Sequence, residues 1–181
     1  MAKNDTLEDQ QYKLLFAVRR SIRYHDRRRA FFELMHRISS VFMVLLASSI
    51  FLDLLGNAVR RPAWLTTIAL IAAMLGALDI IVGFARSATL HHDFKRRFIQ
   101  LEIAISKSET EQALRDIEIE RLRIEQDEPP VYRALDLLCH NEVAHADGVR
   151  NPDDFAAVKW YQSLTRHIWH WANIVSTTER G

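Results

Sequence analysis

The sequence is poor in the residues that build disulfides and phosphate loops: its 181 residues include one cysteine, five glycines and four prolines. A lone Cys139 cannot close an intramolecular disulfide, so nothing argues for an oxidising compartment, and we expect a small buried apolar residue there. No glycine-rich phosphate loop and no nucleophile elbow is present. The sequence therefore lacks the usual signatures of a disulfide-bonded secreted domain, of enzymes with a glycine-rich phosphate loop and of hydrolases with a nucleophile elbow.

Charge is also nearly absent from two long stretches. Residues 38–59 carry only Asp53, and residues 62–85 carry only Asp79. Both stretches exceed the ~18–20 apolar residues that cross a bilayer. The three remaining fragments are too short to be comfortable globular domains, which argues against a soluble enzyme with a large core.

We therefore predict an all-α fold that is membrane-embedded and oligomeric. It comprises a basic amphipathic cytosolic helix at 1–37, a two-helix transmembrane hairpin at 38–85 with spans at about 38–58 and 63–85, and a cytosolic helical domain at 86–181.

Basic residues are concentrated before the first span and after the second span, whereas the connecting loop has only Arg60 and Arg61. Because cytoplasmic flanks accumulate Lys and Arg, this bias predicts a multi-pass inner-membrane protein with both termini cytoplasmic. The flanking residues are also candidate contacts for anionic headgroups. A polyanion such as nucleic acid is the alternative that we do not favour. The flanking residues are Arg19, Arg20, Arg23, Arg27, Arg28, Arg29, Arg37, Arg86, Lys95, Arg96 and Arg97.

Periodicity predicts helices on both sides of the hairpin. Apolar residues in 7–37 recur with helical spacing and run into the first span, and the second span continues into the cytoplasm as a long helix. Ser108 and Glu111 have the spacing of a capping box that restarts a helix. Residues 117–124 alternate in part, which permits a strand, but their composition favours a helix.

Turn residues divide the rest of the tail. The prolines at 129–130 force a break, after which a helix is predicted over 131–146, ended by Gly148. The Asn-Pro-Asp-Asp sequence at 151–154 is a helix-start signal. A final helix is therefore predicted from about 153 to 175.

Two aspartates lie inside the predicted spans, where an ionisable group costs at least ~2.5 kcal/mol at mid-bilayer. Asp53 lies toward the outer end of its span, and Asp79 lies toward the cytoplasmic side of the other. Opposite depths prevent them from pairing with each other. Either the carboxylates reach an interface, or they line a water-filled path between protomers as two acidic rings.

Small residues recur on the second span at positions that allow close helix approach. They serve either packing against the first span or contact between protomers, and the sequence leaves both open. This helix-packing face comprises Ala69, Ala72, Ala73, Gly76 and Ala77.

The eight histidines do not have convincing metal-ligand spacing. His140 and His145 are five residues apart and do not share a helix face. His167 and His170 are three apart among tryptophans and could clamp a metal, but packing is the simpler explanation. We expect no metal, no other cofactor and no catalytic residue.

The combined features resemble the SLATT family of bacterial two-span effectors. The resemblance lies in residues 23–33 (RYHDRRRAFFE), the two-span hairpin, residues 127–135 (DEPPVYRAL) and the CHNE sequence at 139–142, and it covers roughly 20–145. Members associate with SMODS nucleotidyltransferases or SLOG sensors and are thought to act as membrane-perturbing or pore-forming anti-phage effectors. The resemblance brings no catalytic residues.

Three functions follow as expectations. The first is a non-enzymatic effector that oligomerises and permeabilises or depolarises the bacterial inner membrane when a partner or nucleotide signal activates it. Its partners would be the lipid bilayer, other copies of itself, and a nucleotidyltransferase, nucleotide sensor or other defence protein. The second is a non-conducting membrane anchor or scaffold for a soluble enzyme. The third, weaker one is a ribonuclease-like tail, from the Arg133 and His140 pair.

Overall fold

The computed structural model describes residues 2–55, 63–151 and 155–171, and every regular element within these ranges is helical. The predicted all-α class is therefore confirmed for this part of the chain. The helices are α1 (Ala2–Leu55), α2 (Ala63–Val82), α3 (Phe84–Lys107), α4 (Glu111–Gln126), α5 (Arg133–Ala146) and the short α6 (Trp160–Leu164).

The longest element is α1, which runs for 54 residues without interruption. It contains neither glycine nor proline, so nothing in it breaks the hydrogen-bond ladder. The predicted continuation of the N-terminal helix into the first apolar stretch is thus confirmed. The chain divides into two compact units: unit 1 is residues 1–28 with 91–181, and unit 2 is residues 29–90.

Unit 1 has a core formed by α1, α3 and α4. Apolar residues three or four positions apart on each helix meet there, and Val18, Phe98 and Ile105 are fully buried. A second apolar cluster attaches α5 through Tyr24, Leu135 and Cys139. Cys139 is fully buried, as predicted, and burial raises the pKa of its thiol to about 12.

The turns of unit 1 mostly follow the predicted signals. Helix α4 restarts where expected, but its cap is Thr110, whose hydroxyl accepts a hydrogen bond from the Ala113 amide at 3.2 Å. Ser108 instead donates to the Ile105 carbonyl at 2.7 Å, at the end of α3. Residues 117–124 are helical, and Gly148 follows α5 with φ +89°.

The predicted final helix is wrong for the described residues, because only Trp160–Leu164 is α-helical there. The Asn141 side chain accepts from the Ala156 amide and donates to the Ala156 carbonyl, each at 2.8 Å. These bonds occupy the backbone groups that a helix would use. The start signal at 152–154 and the end of the prediction at 172–175 lie outside the described residues.

Unit 2 contains the second half of α1, all of α2 and the start of α3. Ala72 is buried, and Gly76 lies so close to α1 that a Cβ atom there would approach the Met43 sulfur to 2.7 Å. Ala73 and Ala77 are exposed. Two of the small residues thus pack within the hairpin, and two lie on an exposed surface. The side chain of Ala69 lies outside the described residues.

A bend of 42° separates Leu70–Val82 from Phe84–Lys107. The predicted continuation of the second span into α3 is therefore correct in sequence but interrupted at Gly83, which has φ +61°. In the described part of the chain, no helix taken singly combines the length and apolarity of a membrane span, whereas this bent pair does so jointly.

Replacing Gly83 with alanine should destabilise the protein by about 1–2 kcal/mol, because an L side chain is strained at positive φ. Thermal melting followed by helical circular dichroism in mild detergent measures the change. Gly83→Asn is the matched control, since asparagine tolerates this conformation better and should recover much of the loss. Equal melting temperatures for wild type and Gly83→Ala would contradict the strain argument.

Candidate functional site

The best-defined polar group of unit 2 is the carboxylate of Asp79. It accepts a hydrogen bond from the Ser39 hydroxyl at 2.9 Å and lies 3.2 Å from His36 Nδ1. Ser39 is 1% exposed, and its hydroxyl also lies 3.0 Å from the His36 carbonyl. We call His36, Ser39 and Asp79 the Asp79 cluster.

The partners of Asp79 were missed in the sequence, although a signal for them exists. In an antiparallel hairpin the end of the second span lies beside the start of the first, and His36 and Ser39 share one face of α1 because they are three residues apart. Arg86, the nearest basic residue downstream of Asp79 in the sequence, is exposed. The side chain of Asp53 lies outside the described residues.

The Asp79 cluster can stabilise the contact between α1 and α2. It also reduces the free-energy cost of placing the Asp79 carboxylate among apolar side chains. A hydrogen bond to an ionised group is stronger than one between neutral groups, and protonation of His36 would add an ion pair. The Asp79 carboxylate on α2 thus interacts with Ser39 and His36 on α1 of the same unit.

Around this polar cluster, unit 2 exposes many aliphatic side chains. Ile80 and Ile81 directly follow Asp79 and are 84% and 79% exposed. Large exposed apolar surfaces on a folded protein indicate a membrane or a protein partner. Other exposed large apolar residues of unit 2 are Leu34, Val41, Met43, Val44, Leu45, Leu70, Ile71, Met74, Leu78, Val82 and Leu90.

In unit 1, several of the predicted headgroup contacts are ion-paired within the protein. Three cations of α1 each form an ion pair with a carboxylate on a helix that is far away in the sequence. The pairs are Arg19 with Glu102 at 2.8 Å, Arg20 with Asp136 at 3.2 Å and Arg27 with Glu142, while Lys95 of α3 pairs with Asp26 of α1 at 2.7 Å.

Arg28 is 6% exposed and lies 4.3 Å from the centre of the Tyr132 ring. Its guanidinium donates to the His167 carbonyl at 2.7 Å. A cation enclosed in this way supports the fold of unit 1 by hydrogen bonding and cation–π contact.

The other predicted headgroup contacts are divided between partly covered and open positions. Arg23 has one buried guanidinium nitrogen without a hydrogen-bond partner, and Arg29 lies 3.7 Å from Glu33. Arg97 lies 3.7 Å from Asp127 and is half exposed. The open positions are Arg37, Arg86 and Arg96.

Two further histidines, His25 and His91, form a buried network in unit 1. His25 Nδ1 lies 2.9 Å from His91 Nδ1, and His25 Nε2 lies 3.0 Å from the Glu128 carboxylate. Both contacts are satisfied when both rings are neutral, with His91 donating to His25 and His25 donating to Glu128. Burial is the main cause that lowers the pKa of His91 to about 3, and the positive charge of Arg28 acts in the same direction.

The remaining histidines do not form a metal site in the described part of the chain, where no cluster of three or more suitable ligands occurs. His170 packs against Tyr132 with ring centres 5.2 Å apart. Burial lowers the pKa of His167 to about 4 and also lowers the pKa of His140. His140 packs edge-on against Phe16. These contacts agree with the packing interpretation.

Replacing Ser39 with alanine should lower the free energy of unfolding by about 1 kcal/mol, because a buried hydrogen bond to Asp79 is lost. Ser40→Ala is the matched control, since Ser40 is exposed one residue away. Thermal melting in the same detergent compares the variants. Identical losses for the two serines would show that the Asp79 cluster does not hold the hairpin together.

Acidification should destabilise unit 1 as the pH falls from about 6.5 toward 3. The unfolded chain protonates His91 in this window while the folded chain does not, so added protons favour unfolding. His91→Gln retains a hydrogen-bonding group without a titrating one and should flatten the fall in melting temperature. The exposed neighbour provides the control His92→Gln, and an equal flattening there would refute the assignment to His91.

Comparison with known proteins adds no relative, because no family model matches the chain and neither a curated protein nor a solved structure is significantly similar to it.

Proposed function

We propose that this protein is a membrane effector of a bacterial anti-phage or conflict system, whose unit 2 hairpin inserts into the inner membrane. The observation that carries the proposal is the exposed aliphatic surface of unit 2 around a carboxylate that is bonded to α1. The SLATT resemblance supplies the biological context. No catalytic step is proposed.

The arrangement of unit 2 suits lipid better than water. Burying apolar surface contributes about 25 cal/mol per Å², so exposed Ile80, Ile81 and Leu70 favour an apolar solvent. A carboxylate at the same depth would oppose insertion. The hydrogen bond from Ser39 and the proximity of His36 offset part of that cost.

Permeabilisation requires several copies, because two helices cannot enclose a water-filled path. The exposed Ala73 and Ala77 lie four residues apart and would let a neighbouring helix approach closely. On activation by a partner or nucleotide signal, separation of α1 from α2 would release Asp79 to line the path between protomers. Partners of this kind are a nucleotidyltransferase, a nucleotide sensor or another defence protein.

The second candidate is a non-conducting anchor or scaffold that recruits a soluble enzyme. It is favoured by one specific observation, namely that Asp79 is occupied by Ser39 and His36 within its own hairpin. Because these two residues already interact with the Asp79 carboxylate, a water-filled path is not needed to explain why an aspartate occurs in the hairpin.

Expression of the wild type should depolarise the bacterial inner membrane when the activating signal is present, as read by a potential-sensitive dye. Fusions of topology reporters at residues 58 and 181 should report the outside and the cytoplasm, respectively.

In proteoliposomes under asymmetric salt, Asp79→Asn should reduce cation selectivity, because a ring of carboxylates concentrates cations.

Ser39→Ala should raise the basal conductance by weakening the Asp79 cluster, and Ser40→Ala should leave it unchanged. An oriented, membrane-inserted protein that conducts nothing in any of these conditions supports the scaffold. Protein that never inserts refutes both candidates.

A further inference from the structure

We propose that residues 155–171 of unit 1 bind the headgroup region of an anionic lipid bilayer through an apolar row formed by Trp160, Leu164, Ile168 and Trp169. These side chains are 78%, 75%, 72% and 61% exposed. This contact lies outside the hairpin of unit 2, so it is a separate membrane contact from the one proposed above.

The apolar row belongs to a segment that is fixed on its opposite side. Asn141 holds Ala156 by two hydrogen bonds, and Arg28 donates to the His167 carbonyl. Trp171 donates to the Thr165 hydroxyl at 3.0 Å. One side of the segment is thereby attached to unit 1 while the other presents its large side chains to the surroundings.

The row consists of one pair in helix α6 and one pair in the turn that follows it. Helix α6 contains Trp160 and Leu164, one turn apart. Helix α6 ends at Leu164, and the Ile168 and Trp169 amides donate to the Thr165 carbonyl at 3.0 and 2.9 Å in the turn that follows. Within α6 the spacing of four residues places Trp160 and Leu164 above one another.

The chemistry around the apolar row selects an anionic lipid surface as its occupant. Between residues 155 and 171 the sequence has Lys159 and Arg166 but no aspartate or glutamate. Tryptophan combines an apolar body with a polar N–H group and favours the membrane–water interface. Lysine and arginine beside it attract anionic headgroups.

Charge also argues against a second copy of the chain as the occupant. A two-fold contact through the apolar row would bring Lys159 and Arg166 of both copies to one interface, where like charges repel. An anionic bilayer meets the same cations with opposite charge.

Spin labelling of the full-length protein tests the proposal. Leu164→Cys carries the nitroxide, and the native Cys139 stays unlabelled because it is fully buried. Leu122→Cys is the matched control, an exposed leucine of unit 1 that belongs to α4. Power saturation with oxygen and with a water-soluble nickel chelate measures the depth of each label, in phosphatidylcholine bilayers with and without phosphatidylglycerol.

In bilayers with phosphatidylglycerol, the label at 164 should be accessible to oxygen and shielded from the nickel chelate, whereas the label at 122 should be accessible to the chelate. Combining Lys159→Gln with Arg166→Gln should weaken the bound state by up to about thirtyfold. A label at 164 that is as accessible to the chelate as the label at 122 overturns the proposal. So does a label shielded from both reagents, which would indicate a protein partner.

A label at Met74→Cys on α2 keeps this outcome separate from the proposed function. Met74 is an exposed residue of unit 2, so its label reports insertion of the hairpin. An inserted position 74 with position 164 in water refutes only the contact through the apolar row. The reverse result refutes only the inserted hairpin.

Discussion

Pairing of the basic residues of α1 with carboxylates of later helices is the interaction on which unit 1 depends. Exposed ion pairs contribute little singly, but Arg20 and Arg27 both reach carboxylates on α5. Arg28 on the same helix is nearly enclosed and donates to the His167 carbonyl. Removing one member of such a network leaves the other partly buried and uncompensated, which is costly. The pairs also specify which face of α1 meets α5, because apolar contacts alone would tolerate other rotations of the helix.

The Asp79 cluster applies the same physical rule in unit 2 with fewer groups. An aspartate among aliphatic residues must either keep contact with water or find donors, and Ser39 and His36 provide them. The cluster connects α1 with α2 at a single level, whereas Gly76 permits close approach near Met43. Polar attachment and steric fit therefore operate together in the hairpin.

The helical class, the long α1 and the breaks at 107–111 and 126–133 could be predicted because they follow from local propensity, capping and proline. The final helix could not, because the hydrogen bonds from Asn141 to Ala156 join residues 15 positions apart. The same limit applies to the candidate site. Asp79 was identified from its chemistry alone, but its partners required knowledge of which helix faces meet, as did the contact of His25 with His91.

Ion pairing within unit 1 is compatible with the proposed role of the same residues in topology, because the two effects would act at different times. Lys and Arg near a span orient it, and acidic residues contribute little to that choice. Arg27 and its partner Glu142 are separated by 115 residues. At typical synthesis rates, the later residue follows on the order of ten seconds after the earlier one. During that interval the α1 arginines are without these partners and would be available to hold the N-terminus in the cytoplasm, as the proposed topology requires. Once the tail has folded, the same charges are neutralised by carboxylates, so the exposed Arg37, Arg86 and Arg96 are the better candidates for lasting contact with headgroups.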